Sequence, residues 1–230
     1  RTCCHWCSFK FDGRPFGAWD KFQLGWLDYD VARAGRPGTY HLRPGQSTSG
    51  SQSNGLVVLL PDKDVTFQYG APCATCGEKF YYSGKGDNLD HAMTREVDGG
   101  GELTAKVRYD IEEAWDYAFL EASSDGGETW TEVPNSQSYP GEDQGTFNGS
   151  GTGISGTTDG QWVDLTATIP DGTDAIRFHY LTDGAATYPG FQVDNITLDG
   201  ESIGDAETDD QGWDLDGFEA VHAEETKQFL

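Results

Sequence analysis

The chain has 230 residues, enough for one large or two modest domains with a real hydrophobic core. Thirty-nine acidic residues against fifteen Lys and Arg give a formal charge of -24, which repels nucleic acid and anionic membrane surfaces and excludes both as partners. An aromatic share of 13%, with seven Trp and ten Tyr, excludes a disordered acidic tail, because such tails lack the large apolar groups that offset chain entropy.

No charged-then-apolar leader opens the chain. The longest apolar run, Leu56 to Leu60, is far too short to span a bilayer, so no membrane insertion is expected. Because Arg1 is not an initiator Met and the start is abrupt, the sequence reads as a fragment whose leader, if any, lies upstream. Two cysteine pairs, Cys4-x-x-Cys7 and Cys73-x-x-Cys76, have the knuckle spacing of a zinc ribbon, yet the 65 residues between them exceed an ordinary ribbon. A local Cys73–Cys76 disulfide in the turn Ala71 to Gly77 is the preferred reading, in line with disulfide use outside the cell.

Gly17 to Leu27 is expected to be a short helix. Trp19, Phe22, Gln23 and Trp26 fall at i, i+3, i+4 and i+7, which lines the three aromatics on one core-packing face. Arg33 to Asn54 reads as turns, Leu56 to Leu60 as a buried strand and Val65 to Tyr69 as the next strand. From about Glu78 the period changes to two. Leu103, Ala105, Val107 and Tyr109 alternate with Thr104, Lys106, Arg108 and Asp110, the mark of a half-buried strand. Tyr117 to Ser123, Trp162 to Ile169, Ala175 to Leu181 and Phe191 to Leu198 supply further strands. Strands of this length joined by Gly-rich turns predict a mostly β chain, a β-sandwich of jelly-roll type, preceded by a small α+β segment. Pro134 to Gly160, without periodicity, is expected to be a surface loop. The tail from Ile203 reads as the start of a further β module. Its Asp214-x-Asp216-Gly217 hints at an EF-hand, but Gly212 and Ala223 stand where that loop needs acids.

Ser123-x-Asp125-x-Gly127-x-Thr129-Trp130 matches the Asp-box pattern, a structural hairpin turn in which Ser and Asp bond the backbone. The five histidines are scattered and read as surface or strand residues. The chain contains no HExxH, no Ser-His-Asp arrangement in recognisable context and no phosphate-cradling loop, so no catalytic residue is assigned. Carboxylates and glycines concentrated at strand ends suit Ca²⁺, which takes six to eight oxygen ligands. The expected calcium ligands are Asp87, Asn88 and Asp90, just before one strand, and Asp194 in the closing strand. There an unpaired carboxylate among apolar neighbours would be costly, and an ion would compensate it. Asp110, Glu112 and Asp116 are further oxygen donors.

Five segments also carry a family likeness in order and spacing: Gly17 to Tyr29, Tyr81 to Asp90, Tyr109 to Tyr117, Thr182 to Gly184 and Gly190 to Ile196. Together they resemble the immune inhibitor A-like secreted zinc metallopeptidases, from about Asp12 to the end. The resemblance implies a hydrolase of protein substrates outside the cell, with zinc on an HExxH helix and a further ligand, all preceding the Ala18-Trp-Asp-Lys21 segment. No residue of this chain matches those ligands or the catalytic Glu, and Arg1 to Ser8 departs from the family pattern. The implied organisation is residues 1–72 as the end of the peptidase domain, with 1–11 anomalous, then 73–202 as the jelly roll and 203–230 as the truncated start of another module. The leading functional expectation is the non-catalytic C-terminal portion of a secreted metallopeptidase, inactive alone. The alternative is a stand-alone extracellular module binding glycan or protein, which aromatics on a polar strand face, Tyr117 and Phe119, would favour.

Overall fold

The computed structural model describes residues 63–208 and 211–229, together with five short strands before them. The chain divides into two units, residues 1–65 with 227–230, and 66–226. In the first unit β1 (Lys10–Phe11) pairs with β2 (Arg14–Pro15). There β3 (Asp30–Arg33) lies between β4 (Arg36–Tyr40) and β5 (Leu56–Leu59). The helix expected over Gly17 to Leu27 falls outside the described residues, as do Cys3, Cys4 and Cys7.

Among the described residues all regular structure is β, and no helix is long and apolar enough to cross a membrane. After β6 (Lys63–Gln68) the second unit is an antiparallel sandwich. Its strands are β7 (Lys79–Tyr82), β8 (Asp90–Glu96), β9 (Gly101–Ile111), β10 (Tyr117–Ser123), β11 (Thr131–Glu132), β12 (Gly156–Thr157) and β13 (Val163–Ile169). Then follow β14 (Ala175–Leu181), β15 (Gly190–Leu198), β16 (Glu201–Gly204), β17 (Trp213–Asp216) and β18 (Glu219–His222); β19 (Glu224–Phe229) pairs with β6 in a separate two-stranded sheet. One sheet runs β11-β10-β14-β8-β17; the other runs β12-β9-β15-β7-β18, with β13 on β9 and β16 on β15. The long strands β7, β8, β9 and β10, and again β13, β14 and β15, alternate between the sheets, the crossing pattern of a jelly roll.

The period-two segments bury the sides the sequence marks. Leu103, Ala105, Val107 and Ile111 of β9 meet Ile176, Phe178 and Tyr180 of β14 in one core with Leu165, Phe191, Val193 and Ile196. Each fully buried Leu, Val, Ile or Phe among them contributes roughly 1.5–3 kcal/mol. Trp213 and Phe218 belong to the same core, Trp213 donating its indole N–H to the Ile203 carbonyl at 2.6 Å. The tail expected to open a further module therefore completes this one: β17 pairs with β8 and β18 with β7. Trp213 decides this, since leaving it out would open a void between the sheets.

The outer face of the larger sheet carries a second, smaller cluster of Phe80, Tyr82 and Val221, with Tyr69 and Trp162 packed on it. Arg108 lies there, 6% exposed. Its Nε donates to Gln192 Oε1 at 2.5 Å, Nη1 to the Ala71 carbonyl at 2.5 Å and Nη2 to the Tyr69 carbonyl at 2.6 Å. The guanidinium also stacks on Trp162, 5.2 Å from the ring centroid. The strap 69–71 is thereby fixed across the sheet and leads into the turn where Cys73 and Cys76 are disulfide-bonded, Cα atoms 5.2 Å apart.

Pro134 to Gly160 is more than a surface loop. Tyr139 N–H donates to the Gly153 carbonyl and Ile154 bridges to Ala118, folding the segment over the outer face of β10. Tyr117 and Phe119 are buried beneath it. Neither offers the exposed aromatic face that a glycan platform would need.

Candidate metal centre

Carboxylates gather in two places. The first is the end of the sandwich where the β7–β8, β9–β10 and β14–β15 loops meet. Ligand-capable oxygens of Glu112, Asp116 and Asp183 lie within 4.8 Å of one another, and Asp183 N–H donates to Asp116 Oδ1 at 2.8 Å. Burial pushes the Asp116 carboxyl up to about 6; the charges of Asp183, Glu112 and Asp87 add to this, and the Asp183 N–H opposes it. Asn88, in left-handed backbone at φ 56°, donates its N–H to the Asp183 carbonyl, and Asp87 accepts from the Thr187 hydroxyl. Asp87 and Asn88 thus stand at this end, with Glu112 and Asp116 of the additional donors. Asp90 does not join them, because its Oδ1 is bonded to His179 Nε2 at 2.7 Å.

The second place is Asp194, fully buried in β15. Val193 and Ile196 both face the core although they are three residues apart; Asn195, at φ 48°, forms the irregularity that lets them do so. Asp194 Oδ1 accepts the Asn195 N–H, while Oδ2 has no hydrogen-bond partner among the described residues. Lys106, opposite Asp194 in the ladder, gives its ammonium to Asp164 instead, at 2.6 Å. Burial pushes the Asp194 carboxyl up to about 7, with the charges of Glu207 and Asp205 adding to it and the Asn195 N–H opposing it.

The structure therefore does not bring Asp194 to Asp87, Asn88 and Asp90. Gly190 of β15 pairs with Asp110 at the loop end, and Asp194 lies four residues further along, about 13 Å at 3.3 Å per residue. No single ion bridges that span. The acidic neighbours that sequence reasoning missed are Asp205 and Glu207, whose charges reach Asp194. Glu207 Oε1 accepts the N–H groups of Glu78 and Lys79, at 2.7 and 2.8 Å, so the loop after β16 grips the start of β7 beside Asp194. The signal was present as the Asp205-Ala-Glu207 spacing, hidden by assigning that stretch to another module.

Among the described residues only Glu112, Asp116 and Asp183 bring three carboxylate oxygens within 4.8 Å of one another, whereas Asp194 offers a buried, unpartnered oxygen that feels the charges of Glu207 and Asp205; all-oxygen donors of either kind suit Ca²⁺ rather than Zn²⁺. No comparable chemistry surrounds Arg108. It lines a cavity of about 390 Å³ with Tyr69, Asp110 and Gln192, but its Nε, Nη1 and Nη2 each donate to the protein itself.

A family model described as "Immune inhibitor A-like, MAM domain" matches residues 42–223. The chain belongs to that family. Immune inhibitor A of Bacillus thuringiensis subsp. alesti is 29% identical over 197 residues, covering 80% of this chain and 26% of that protein. The pre-pro-metalloprotease PrtV of Vibrio cholerae serotype O1 (strain M66-2) is 30% identical over 161 residues, covering 67% of this chain and 16% of that protein. The chain thus spans about a quarter or less of these relatives' length. Among solved structures, the K1 cleaved adhesin domain of Lys-gingipain from Porphyromonas gingivalis W83 aligns over 60% of this chain and 99% of its own, at 16% identity and a TM-score of 0.29. Within the MAM-type region, the described residues include both carboxylate groups, the Cys73–Cys76 turn and the Arg108 strap.

Proposed function

We propose that this chain is the non-catalytic, calcium-tied β-sandwich region of a secreted zinc metallopeptidase that hydrolyses protein substrates. The observation that carries the calcium part is the buried Asp194 Oδ2, unpartnered beside Asp205 and Glu207. An ion bound at Asp194, with the Asp205 and Glu207 carboxylates closing on it, would join the closing strand β15 to the loop that grips β7, and it would compensate charge that burial otherwise penalises. The non-catalytic part rests on the absence of HExxH from the sequence and on the matches to parts of two much longer relatives, one of them named a pre-pro-metalloprotease. In the whole protein zinc would polarise the scissile carbonyl and activate water; this chain's own residues build the sandwich. Of the expected peptidase-domain end at 1–72, the proposed assignment keeps the residues before 42, where the MAM-domain match begins.

The test uses the full 230-residue chain. Calcium at well above its dissociation constant should raise the melting temperature by roughly 5 °C or more relative to chelator. Asp194→Asn should abolish the increment. An increment that survives Asp194→Asn and vanishes in Asp116→Asn moves the ion to the loop end; identical melting curves with and without chelator end the calcium reading. Chelator-sensitive cleavage of casein by the purified chain would overturn the non-catalytic assignment.

A further inference from the structure

Trp115 and Tyr188 are the exposed large hydrophobic side chains among the described residues, at 40% and 38% of full exposure. Both stand at the loop end of the sandwich. Trp115 lies in the β9–β10 loop, Tyr188 in the β14–β15 loop, and the two loops are joined by the Asp183 N–H bond to Asp116. A large aromatic left in water forfeits the burial that the other aromatics of this domain obtain, and such exposure marks interaction sites.

Both loops hold their aromatics in fixed positions. Ala114 and Ala186 adopt left-handed backbone, φ 68° and 64°, a conformation alanine takes only when its surroundings enforce it. Ala114 is pinned on both sides: its N–H donates to Ser155 Oγ at 2.9 Å, and its carbonyl accepts the N–H groups of Gln144 and Gly145 at 2.9 and 3.2 Å. On the other loop, Ala185 N–H donates to Asp183 Oδ1 at 2.9 Å and the Thr187 hydroxyl donates to Asp87. A pre-ordered aromatic loses little conformational freedom when a partner covers it.

The surroundings select the partner. Asp87, Glu112, Glu113, Asp116, Asp143 and Asp183 come from all the loops that meet here, and Lys85 is the one basic residue among residues 83–89, 112–116, 139–145 and 182–190. Aromatic faces set among carboxylates favour ammonium and guanidinium groups through the ring quadrupole and through charge together. We infer that this loop end is a docking surface for a basic polypeptide segment, one that lays lysine or arginine side chains over Trp115 and Tyr188. This inference does not rest on the calcium site at Asp194, and either can fail alone.

The test titrates the full chain, in chelator throughout so that no divalent ion bridges, with a short lysine–leucine peptide and its glutamate–leucine counterpart. The lysine peptide should bind with an affinity that falls as salt rises, and the glutamate peptide should not bind. Trp115→Ala and Tyr188→Ala should each weaken binding by about fivefold or more, the loss expected for interface anchors. Asp214→Asn, a charge change on β17 away from these loops, should leave it unaltered. Tyr188→Ala keeps the test open if Trp115→Ala fails to fold. Equal affinity of folded aromatic variants and the wild-type chain would overturn the proposal, since the binding would then be diffuse charge attraction. So would Trp115-dependent binding of a neutral oligosaccharide without binding of the lysine peptide.

Discussion

Glu207 reaches back across 129 residues to accept the backbone N–H of Glu78 at 2.7 Å. That contact holds the first strand of the sandwich to the loop beyond its last long strand, on the same side as the buried Asp194. Gly77 makes it possible. Its φ is +149°, and a Cβ there would lie 2.1 Å from Glu207 Oε1.

Gly77→Ala should therefore push Glu207 off the Glu78 and Lys79 amides. One exposed and one half-buried donor lose their acceptor and the backbone is strained, at a cost of about 1–3 kcal/mol. Urea unfolding in chelator reads this directly, and the calcium increment in melting temperature should shrink in the same variant. A variant as stable as wild type, with the full increment, would show that Glu207 has no structural hold on β7.

Much of this architecture is readable from residue order. Leu103, Ala105 and Val107 face the core as their alternation requires, and the five-segment family likeness leads to the same sandwich. Alternation fails where the backbone departs from an even pleat. At Asn195 the irregularity shifts the phase of β15, so the polarity of Asp194 is legible but its surroundings are not. Tyr117 and Phe119 sit on the outward side of β10 as the pattern says; their burial comes from a loop of low periodicity whose path depends on backbone bonds such as Tyr139 to Gly153. The surroundings of Asp194 escape the pattern for a related reason: the charges of Asp205 and Glu207 reach it because Trp213 draws the tail into the core.

The Asp-box turn is a local device. Ser123 Oγ accepts the Gly127 N–H at 2.9 Å, and Asp125 accepts both the N–H and the hydroxyl of Thr129, at 2.8 and 2.6 Å. The Thr129 hydroxyl, then its N–H and the Ser123 hydroxyl, hold the Asp125 carboxyl down to about 2. In Asp125→Ala the Thr129 amide should exchange with solvent about tenfold faster, the equivalent of one lost hydrogen bond, while core amides such as those of Phe178 and Val107 keep their protection. Exchange that rises across the whole domain would show that the turn supports the fold globally.

Arg108→Met should release the 69–71 strap. The Tyr69 and Ala71 carbonyls retain donors from Gln192 and Trp162, but Gln192 Oε1 loses the guanidinium and the stack on Trp162 disappears. The expected loss is about 2–4 kcal/mol in urea unfolding, with faster proteolysis next to Gln68. Arg108→Lys should recover only part of this, because one ammonium cannot reproduce the planar fork that serves three acceptors. A loss below about 1 kcal/mol for Arg108→Met would mean the strap is held by Gln192 and Trp162 alone.

His179 gives the domain a pH dependence of definite sign. Its Nδ1 contacts Glu121 Oε2 at 3.0 Å and its Nε2 contacts Asp90 Oδ1 at 2.7 Å, while Arg177, stacked on Trp130, shares Glu121. Burial and Arg177 disfavour the imidazolium, but the two carboxylates outweigh them and the His179 pKa is raised above 6.5. Burial likewise disfavours the Glu121 carboxylate, and its bonds from His179 and Arg177 outweigh that, so its pKa is lowered. The histidine's contribution to stability is thus fully present below about pH 6.5 and lost as pH rises through its raised folded value; the glutamate's is present above its ordinary value and lost as pH falls through the lowered one. Melting temperatures should fall more steeply above about pH 6.5 in the wild-type chain than in His179→Gln; the raised Asp194 carboxyl gives both proteins a shared decline that ends near pH 7. An identical alkaline slope in the two proteins would place the titrating group elsewhere.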